Sequence, residues 1–246
     1  PKQDNIIMLP PTYGMYEVLA NLNAVDIIKV DLDDTFQPKV NDILNAANTN
    51  SKILFLCSPN NPTANSFEST KIEKLITEFK GLVVIDEAYI DFFNEASWLS
   101  RLDEFPNLIV TQTLSKAYAM AGIRLGICYA SAEIISVLNT IKPPYNINEL
   151  TQKKAIELLS IKDLTFNQIN DILKERTKLM AELKSITFVS KIYPSDANFI
   201  LAKVDDANKR YNQLIEKGIV IRNRTKQMGC ENCLRFTVGT SEENKK

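Results

Sequence analysis

The stretch K52-I-L-F-L-C-S-P-N-N-P-T-A-N-S-F-E-S-T-K-I-E-K-L-I-T-E-F-K-G-L-V-V-I-D-E-A-Y89 contains the pattern that decides the fold. Residues 52–57 and 82–85 are predicted strands, and the runs 53–56 and 82–85 are continuously apolar, as expected for strands that are covered on both faces. Between them, residues 67–79 place their apolar side chains on one side of a helix, and Gly81 is a suitable stop after it. Strand, helix and strand in this order favour a βα-repeat architecture, so the sequence predicts an α/β fold with a mainly parallel sheet.

The same alternation continues on both sides of this unit. Further strands are predicted at 27–30, 108–111 and 125–129. Two adjacent prolines at 143–144 mark a change in composition, so we predict a large domain at 1–141 and a small α+β domain at 142–246. The small domain is predicted to contain a long helical stretch at 148–184 broken near Thr165, a helix at 206–217, and strands at 186–189, 198–202, 219–221 and 234–238.

Composition and charge exclude several classes of function. The 246 residues have a formal net charge of −1, which does not favour nucleic acid as a partner. No apolar run reaches the ~18 residues of a membrane span, so no membrane partner is expected. The chain has no histidine, which excludes Ser-His-Asp catalysis and metal sites built from histidine. An enzyme made from this chain must therefore use Lys, Tyr, Asp, Arg or a cofactor.

The four cysteines indicate free thiols in a reducing cytoplasm. Cys57 and Cys128 lie in apolar, strand-like runs and are predicted to be buried. Cys230 and Cys233 form a lone C-x-x-C pair. Because neither a second pair nor a histidine accompanies it, no metal site is predicted.

A second stretch, T113-L-S-K-A-Y-A-M-A-G-I-R124, places Lys116 among small and apolar residues. One interpretation is a surface helix with scattered positive charges. The other is a lysine that loses its charge by forming a covalent imine, since a buried lysine readily gives up its proton. Thr113 and Ser115 add hydroxyl groups there, and Arg124 adds a fixed charge that suits a phosphate.

Three further motifs lie near the predicted carboxyl ends of strands, where open α/β sheets bind ligands. Asn61 lies in a Pro- and Asn-rich segment that is either a plain turn or a holder for an amide aimed at a ligand. Asp86 directly follows a buried strand, where it either caps a helix or has a cationic or protonated partner. Tyr89 can face the same space if the chain turns helical, and Tyr13 is either a surface tyrosine or a stacking platform for a flat ligand.

Together these residues suit a planar, phosphorylated aldehyde whose ring accepts electrons, and that ligand is pyridoxal 5′-phosphate. At this point the chain resembles the fold type I pyridoxal phosphate-dependent enzymes, in their class II aminotransferase branch. The motifs that carry the resemblance occur in the family's order: P11-T-Y-G-M-Y16, C57-S-P-N-N-P-T63, V84-I-D-E-A-Y-I-D-F92, L114-S-K-A-Y-A-M-A-G-I-R-L-G126, S195-D-A-N-F-I-L201, G218-I-V-I-R222 and C233-L-R-F-T-V-G-T240.

The resemblance implies a role for each of the singled-out side chains. Three of them are implied to be catalytic: Lys116 bonds the cofactor and moves the proton, Asp86 faces the pyridine nitrogen, and Tyr89 faces the ring oxygen. The other implied cofactor contacts are Asn61 at the ring oxygen, Tyr13 stacked on the ring, and Ser115 and Arg124 at the phosphate. Thr113 is predicted to bind the cofactor as a hydroxyl donor. The implied substrate contacts are Arg235 and Arg222 at the distal anion and Asn198 nearby.

The activity implied by the resemblance is transfer of an amino group between L-glutamate and imidazole-acetol phosphate in histidine biosynthesis, by a cytoplasmic homodimer. Three alternatives remain open from the sequence. The chain could be a lyase that decarboxylates a phosphorylated amino acid such as threonine phosphate, a transaminase for aromatic amino acids, or a non-catalytic fold type I fragment.

Two departures from the family pattern carry expectations of their own. The family's N-P-T-G turn ends here in Ala64, which fits if the backbone keeps a negative φ. The family also has a longer amino-terminal part with a small-residue loop around the cofactor phosphate, and the seven glycines of this chain supply no substitute. We therefore expect that roughly the first quarter to third of the protein is absent, which would weaken cofactor binding and activity.

Overall fold

The computed structural model describes residues 3–161 and 163–246. Lys162, which falls in the predicted helical stretch 148–184, lies outside the described residues, as do the first two residues of the predicted large domain. The strands are β1 (Asn5–Met8), β2 (Asp26–Lys29), β3 (Ser51–Cys57), β4 (Leu82–Asp86), β5 (Leu108–Thr113), β6 (Gly126–Ala130), β7 (Val189–Ile192), β8 (Phe199–Val204), β9 (Arg222–Asn223) and β10 (Cys233–Thr237). The α-helices are α1 (Met15–Leu22), α2 (Val40–Ala46), α3 (Ser69–Glu78), α4 (Ala132–Ile141), α5 (Glu149–Leu159), α6 (Leu164–Ser185), α7 (Ala207–Glu216) and α8 (Ser241–Asn244).

The strands form two sheets. The first has the order β2-β1-β3-β4-β5-β6, and all neighbouring pairs are parallel except β5 and β6. The second has the order β7-β8-β10-β9 and is antiparallel. The prediction of a mainly parallel α/β sheet with a smaller α+β part is thus confirmed, while the boundary between 141 and 142 stays a prediction.

The unit β3-α3-β4 forms as its sequence predicts. Helix α3 buries Ile72, Leu75 and Ile76, each no more than 1% exposed, in the large core that also contains the apolar residues of β3 and β4. Burying a side chain of this size contributes roughly 1.5–3 kcal/mol, so this face explains the helix better than propensity does. Gly81 has a different role from the predicted stop, because a Cβ there would lie 2.5 Å from the carbonyl oxygen of Lys52.

Two predicted strands in the second half are wrong. Strand β7 begins only at Val189, because the amide of Val189 closes a turn onto the carbonyl of Ile186. The run 219–221 instead closes helix α7, since the Ile219 amide donates to the Leu214 carbonyl after Gly218 at a φ of 75°. Ile186 and Ile219 pack onto a core without joining a ladder. The break in the helical stretch lies between α5 and α6, just before the predicted Thr165.

All four cysteines are free thiols, as predicted, but of the two that were predicted to be buried only Cys57 is. Cys57, Cys230 and Cys233 are buried free thiols, whereas the free thiol of Cys128 is exposed. Cys128 lies on β6, the edge strand of the first sheet, where an apolar run need not be covered on both faces. None of the helices in the described ranges combines the length and the apolar character that crossing a membrane requires.

Candidate active site

The candidate site lies at the carboxyl ends of three neighbouring parallel strands. The loop after β3 carries Asn61, β4 ends at Asp86, and the turn after β5 carries Lys116. Asp86 is paired in register with Cys57 on β3 and with Thr111 on β5, so it stands in the middle of this edge. Strand polarity therefore brings together side chains that are up to 55 residues apart in sequence.

Asp86 is held by two hydrogen bonds. Its Oδ2 accepts from the Tyr16 hydroxyl at 2.6 Å, and its Oδ1 accepts from the Ala88 amide at 3.1 Å. Burial raises the pKa of this carboxyl, and the two donors and the nearby Lys116 charge oppose that rise. The bond to Ala88 closes a local turn and does not cap a helix, because the next helical turn, Ile90–Phe92, begins after Tyr89. The bond to Tyr16 spans 70 residues.

The amine of Lys116 has no hydrogen-bonding or ion-pairing partner among the described residues. Its Nζ lies 5.5 Å from the ring centre of Tyr89, and no residue of the described chain gives it a hydrogen bond or an ion pair. Burial lowers the pKa of Lys116, and the positive charges of Arg235 and Arg124 lower it further. A lysine in this setting readily becomes the neutral amine that nucleophilic chemistry needs.

Tyr89 and Asn61 are positioned as neutral donors. Burial raises the pKa of Tyr89 to about 12, so its hydroxyl keeps its proton near pH 7. The ring of Tyr89 packs edge-on against Phe199, with centroids 5.1 Å apart. Asn61 accepts a 2.7 Å hydrogen bond from Arg235 at its Oδ1, which leaves its NH₂ group to donate to a ligand.

Arg235, on β10, is the residue that the second sheet contributes to the site. Its guanidinium lies 4.6 Å from the ring centre of Phe199, and burial lowers its pKa. Arg222 is directly opposite Arg235 in the β9–β10 ladder, and the Arg224 amide bonds to the Cys233 carbonyl. Because alternate residues share a face of a sheet, this ladder gathers three guanidinium groups on one face.

The remaining predicted contacts surround this centre more loosely. Thr113 Oγ1 accepts from the Ser115 amide at 3.1 Å, so the two hydroxyl-bearing residues form one tight turn before Lys116. Arg124 is exposed, adopts a φ of 57° and donates to the Ala121 carbonyl at 3.0 Å. Tyr13 is 43% exposed and meets the Tyr16 ring edge-on, with centroids 5.6 Å apart.

Asn198 is held through its backbone. Its carbonyl accepts from the Val238 amide at 2.9 Å, at the start of β8. Within the described part of the chain, its side chain has no hydrogen-bond partner, so the amide is free to contact a ligand.

The expectation for Ala64 is wrong. Its φ is +69°, in the left-handed region, although its methyl group is fully buried beside Tyr89 and Ala117. Its amide donates to Asn60 and its carbonyl accepts from Asp196, so the surrounding hydrogen bonds impose this conformation. A left-handed L-residue costs roughly 1–2 kcal/mol, which the buried methyl group partly offsets.

Sequence reasoning missed two residues of the site. Tyr16 lies in the first turn of α1, three residues after the predicted Tyr13, and the two rings meet edge-on. Arg224 follows the predicted Arg222 by two residues, a spacing that puts both on one face of a strand. Both spacings are visible in the sequence. Their importance depends on contacts with Asp86 and Arg235, which only the tertiary structure shows.

The residues present fit a planar, anionic, phosphorylated ligand. The buried Nε atoms of Arg224 and Arg235 have no hydrogen-bond partner among the described residues, which indicates a missing anionic acceptor. An unpaired amine, a buried acid and a protonated phenol complete the set. Fold and site together define the class of fold type I pyridoxal phosphate-dependent enzymes.

Comparison with known proteins agrees with this class. The family profile described as "Aminotransferase class I and II" matches residues 1–246. A histidinol-phosphate aminotransferase of Flavobacterium johnsoniae is 65% identical over 244 residues, covering 99% of this chain and 70% of the relative. The chain belongs to the class I and II aminotransferase family, within its histidinol-phosphate aminotransferase group.

Solved structures show the same fold. The histidinol-phosphate aminotransferase of Clostridium acetobutylicum is similar with a TM-score of 0.91 at 26% identity, over 98% of this chain and 75% of that one. The histidinol-phosphate aminotransferase of Sinorhizobium meliloti was solved in complex with pyridoxal-5′-phosphate. It is similar with a TM-score of 0.87 at 19% identity, over 100% of this chain and 69% of that one.

Proposed function

We propose that this chain transfers an amino group between L-glutamate and imidazole-acetol phosphate, forming 2-oxoglutarate and L-histidinol phosphate, with pyridoxal 5′-phosphate as cofactor. The observation that carries the proposal is the unpaired amine of Lys116 beside Asp86 at the strand edge, where the partly buried Arg235 of β10 also reaches through Asn61. The 65% identity to a histidinol-phosphate aminotransferase supports the choice of substrate. We further propose that the protein works as a homodimer in the cytoplasm, as the family resemblance implies.

When bound, the cofactor supplies an aldehyde carbon that bonds an amine and a ring that accepts the electrons left by a departing proton. The residues of the chain supply the rest. Lys116 would bond the aldehyde carbon of the cofactor and would act as the general base for the α-proton of the substrate. Asp86 accepts from the pyridine N–H and keeps that nitrogen protonated, while Tyr13 stacks against the ring.

The other proposed contacts divide by ligand group. Tyr89 and the NH₂ of Asn61 donate to the ring oxygen, which suits their protonated state and free hydrogens. Thr113, Ser115 and Arg124 bind the cofactor phosphate. Arg235, with Arg222, binds the carboxylate of glutamate in one half-reaction and the substrate phosphate in the other, since a guanidinium fork accepts either group. Asn198 lies beside the substrate.

Borohydride reduction of the protein mixed with pyridoxal 5′-phosphate, followed by peptide mapping, tests the site. We expect a reduced, covalently fixed cofactor on Lys116 and no labelling in Lys116→Ala. An assay with L-histidinol phosphate and 2-oxoglutarate tests the reaction. Carbon dioxide release from a phosphorylated amino acid, without amino transfer, would replace the proposal by a decarboxylase.

A further inference from the structure

The hydroxyl of Tyr16 makes a short hydrogen bond to the acid at the centre of the site. The distance from Tyr16 Oη to Asp86 Oδ2 is 2.6 Å, within the range of charge-assisted O–H···O⁻ bonds. The Tyr16 ring is 7% exposed and stacks on Phe55, with centroids 4.7 Å apart and planes at 17°. The ring is therefore fixed by packing, and its hydroxyl contacts Asp86 Oδ2 and lies beside the Cys57 thiol.

The other groups that face Asp86 cannot replace this donor. The Ala88 amide bonds to the opposite oxygen, Oδ1. Cys57 lies opposite Asp86 in the ladder, and burial raises the pKa of its thiol, so it stays neutral. Lys116 acts on Asp86 through its charge, while the Asp86 charge adds to the burial that raises the pKa of Tyr89. In the described chain, Tyr16 is the side chain that hydrogen-bonds to this carboxylate.

Burial favours the protonated form of Asp86, and a protonated carboxyl is a poor acceptor for a pyridine N–H. A phenylalanine at position 16 would keep the packing on Phe55 and lose only the hydroxyl. The hydroxyl of Tyr16 is therefore the group that distinguishes its effect on Asp86 from simple packing.

We propose that Tyr16 is a positioning residue, whose hydroxyl keeps Asp86 ionised and turned toward the ring nitrogen of bound pyridoxal 5′-phosphate. This inference rests on the proposed function, because it requires Asp86 to face that nitrogen. Tyr16 touches the cofactor only through Asp86, so its effect must disappear when Asp86 can no longer ionise.

A double-mutant cycle read by binding tests this role. The dissociation constant of pyridoxal 5′-phosphate is measured by fluorescence quenching for the unaltered protein, Tyr16→Phe, Asp86→Asn and the double variant. We expect Tyr16→Phe to weaken binding roughly tenfold in the native background, as for loss of a hydrogen bond to a charged group. The same change should have little effect in the Asp86→Asn background. Tyr211→Phe, which removes a hydroxyl near β8, is the matched control.

The pH profile of binding gives a second readout. Without its donor, Asp86 takes up a proton more easily, so the loss of affinity on acidification should begin at a higher pH in Tyr16→Phe. An equal loss in both backgrounds, or an unshifted profile, would assign Tyr16 a purely structural role and overturn the inference. Failure of the unaltered protein to bind pyridoxal 5′-phosphate would overturn the proposed function itself.

Discussion

At the scale of the residue, Lys116 carries a charge that the folded protein disfavours. Burial and two nearby arginines lower its pKa, and the carboxylate of Asp86 offsets this only in part. The same environment that makes the amine reactive therefore reduces the stability of the fold. Functional sites commonly show this conflict between stability and activity.

Replacing Lys116 by methionine should raise the free energy of unfolding at pH 7. In the native state the pKa lies below its unfolded value, so the penalty is full at low pH and vanishes once both states are neutral. The gain should accordingly shrink as the pH approaches that of a free lysine, about 10.4. Urea denaturation of the cofactor-free protein and of Lys116→Met at several pH values measures the change in the free energy of unfolding. Lys80→Met, at an exposed position, is the control. A gain in the free energy of unfolding of Lys116→Met that does not change with pH would contradict the explanation.

At the scale of the element, the β9–β10 ladder concentrates positive charge. Arg222 and Arg235 are directly opposite, an arrangement of like charges that destabilises a sheet. Arg224 adds a third guanidinium, and its charge lowers the pKa of Arg235. We therefore expect a bound anion to stabilise the ladder, and a doubly charged one to do so more than a singly charged one.

Inorganic phosphate should raise the melting temperature of the protein, and Arg224→Met should reduce that rise. The variant should be at least as stable as the unaltered protein without phosphate, because a partly buried like charge has been removed. Thermal unfolding across a phosphate titration separates the two effects. Arg210→Met is the control, since Arg210 pairs with Asp205 on the surface. If both variants respond alike to phosphate, Arg224 is not part of the anion site.

At the scale of the whole molecule, short polar contacts join the two sheets beside the site. The Asp196 carboxylate accepts from the Ser66 amide at 2.8 Å, and the Asp196 amide donates to the Ala64 carbonyl at 2.7 Å. Arg176 on α6 donates to the carbonyls of Phe92 and Ala197. These bonds fix the segment before β8 against the loop that carries Asn61.

Asp196→Ala should lower the free energy of unfolding by about 1–3 kcal/mol, since the Ser66 amide loses a charged acceptor. Chemical denaturation of the cofactor-free protein measures the change. Asp171→Ala, at an exposed position on α6, should change it by no more than about 0.5 kcal/mol. Similar losses in the two variants would show that the contact across the sheets contributes little.

Prediction from sequence succeeded where the pattern was local. The β3-α3-β4 unit, the two helices after the prolines, and β8 and β10 followed from apolar runs and turn residues. Prediction failed at Ile186 and Ile219, where the apolar side chains cover a core from a turn. Strand β1 was not predicted, although its four residues, Asn5–Met8, are all buried. The roles of the predicted site residues stay predictions until binding and labelling are measured.

The sequence alone determined the βα alternation and the chemical types at the strand ends, because both depend on residues that are close together in the chain. Only the tertiary structure decided that Tyr16 reaches Asp86, that Arg224 joins Arg235 and that Ala64 turns left-handed. Those facts depend on which strands become neighbours and in which register. Register is set by the burial of whole faces, which no short motif contains.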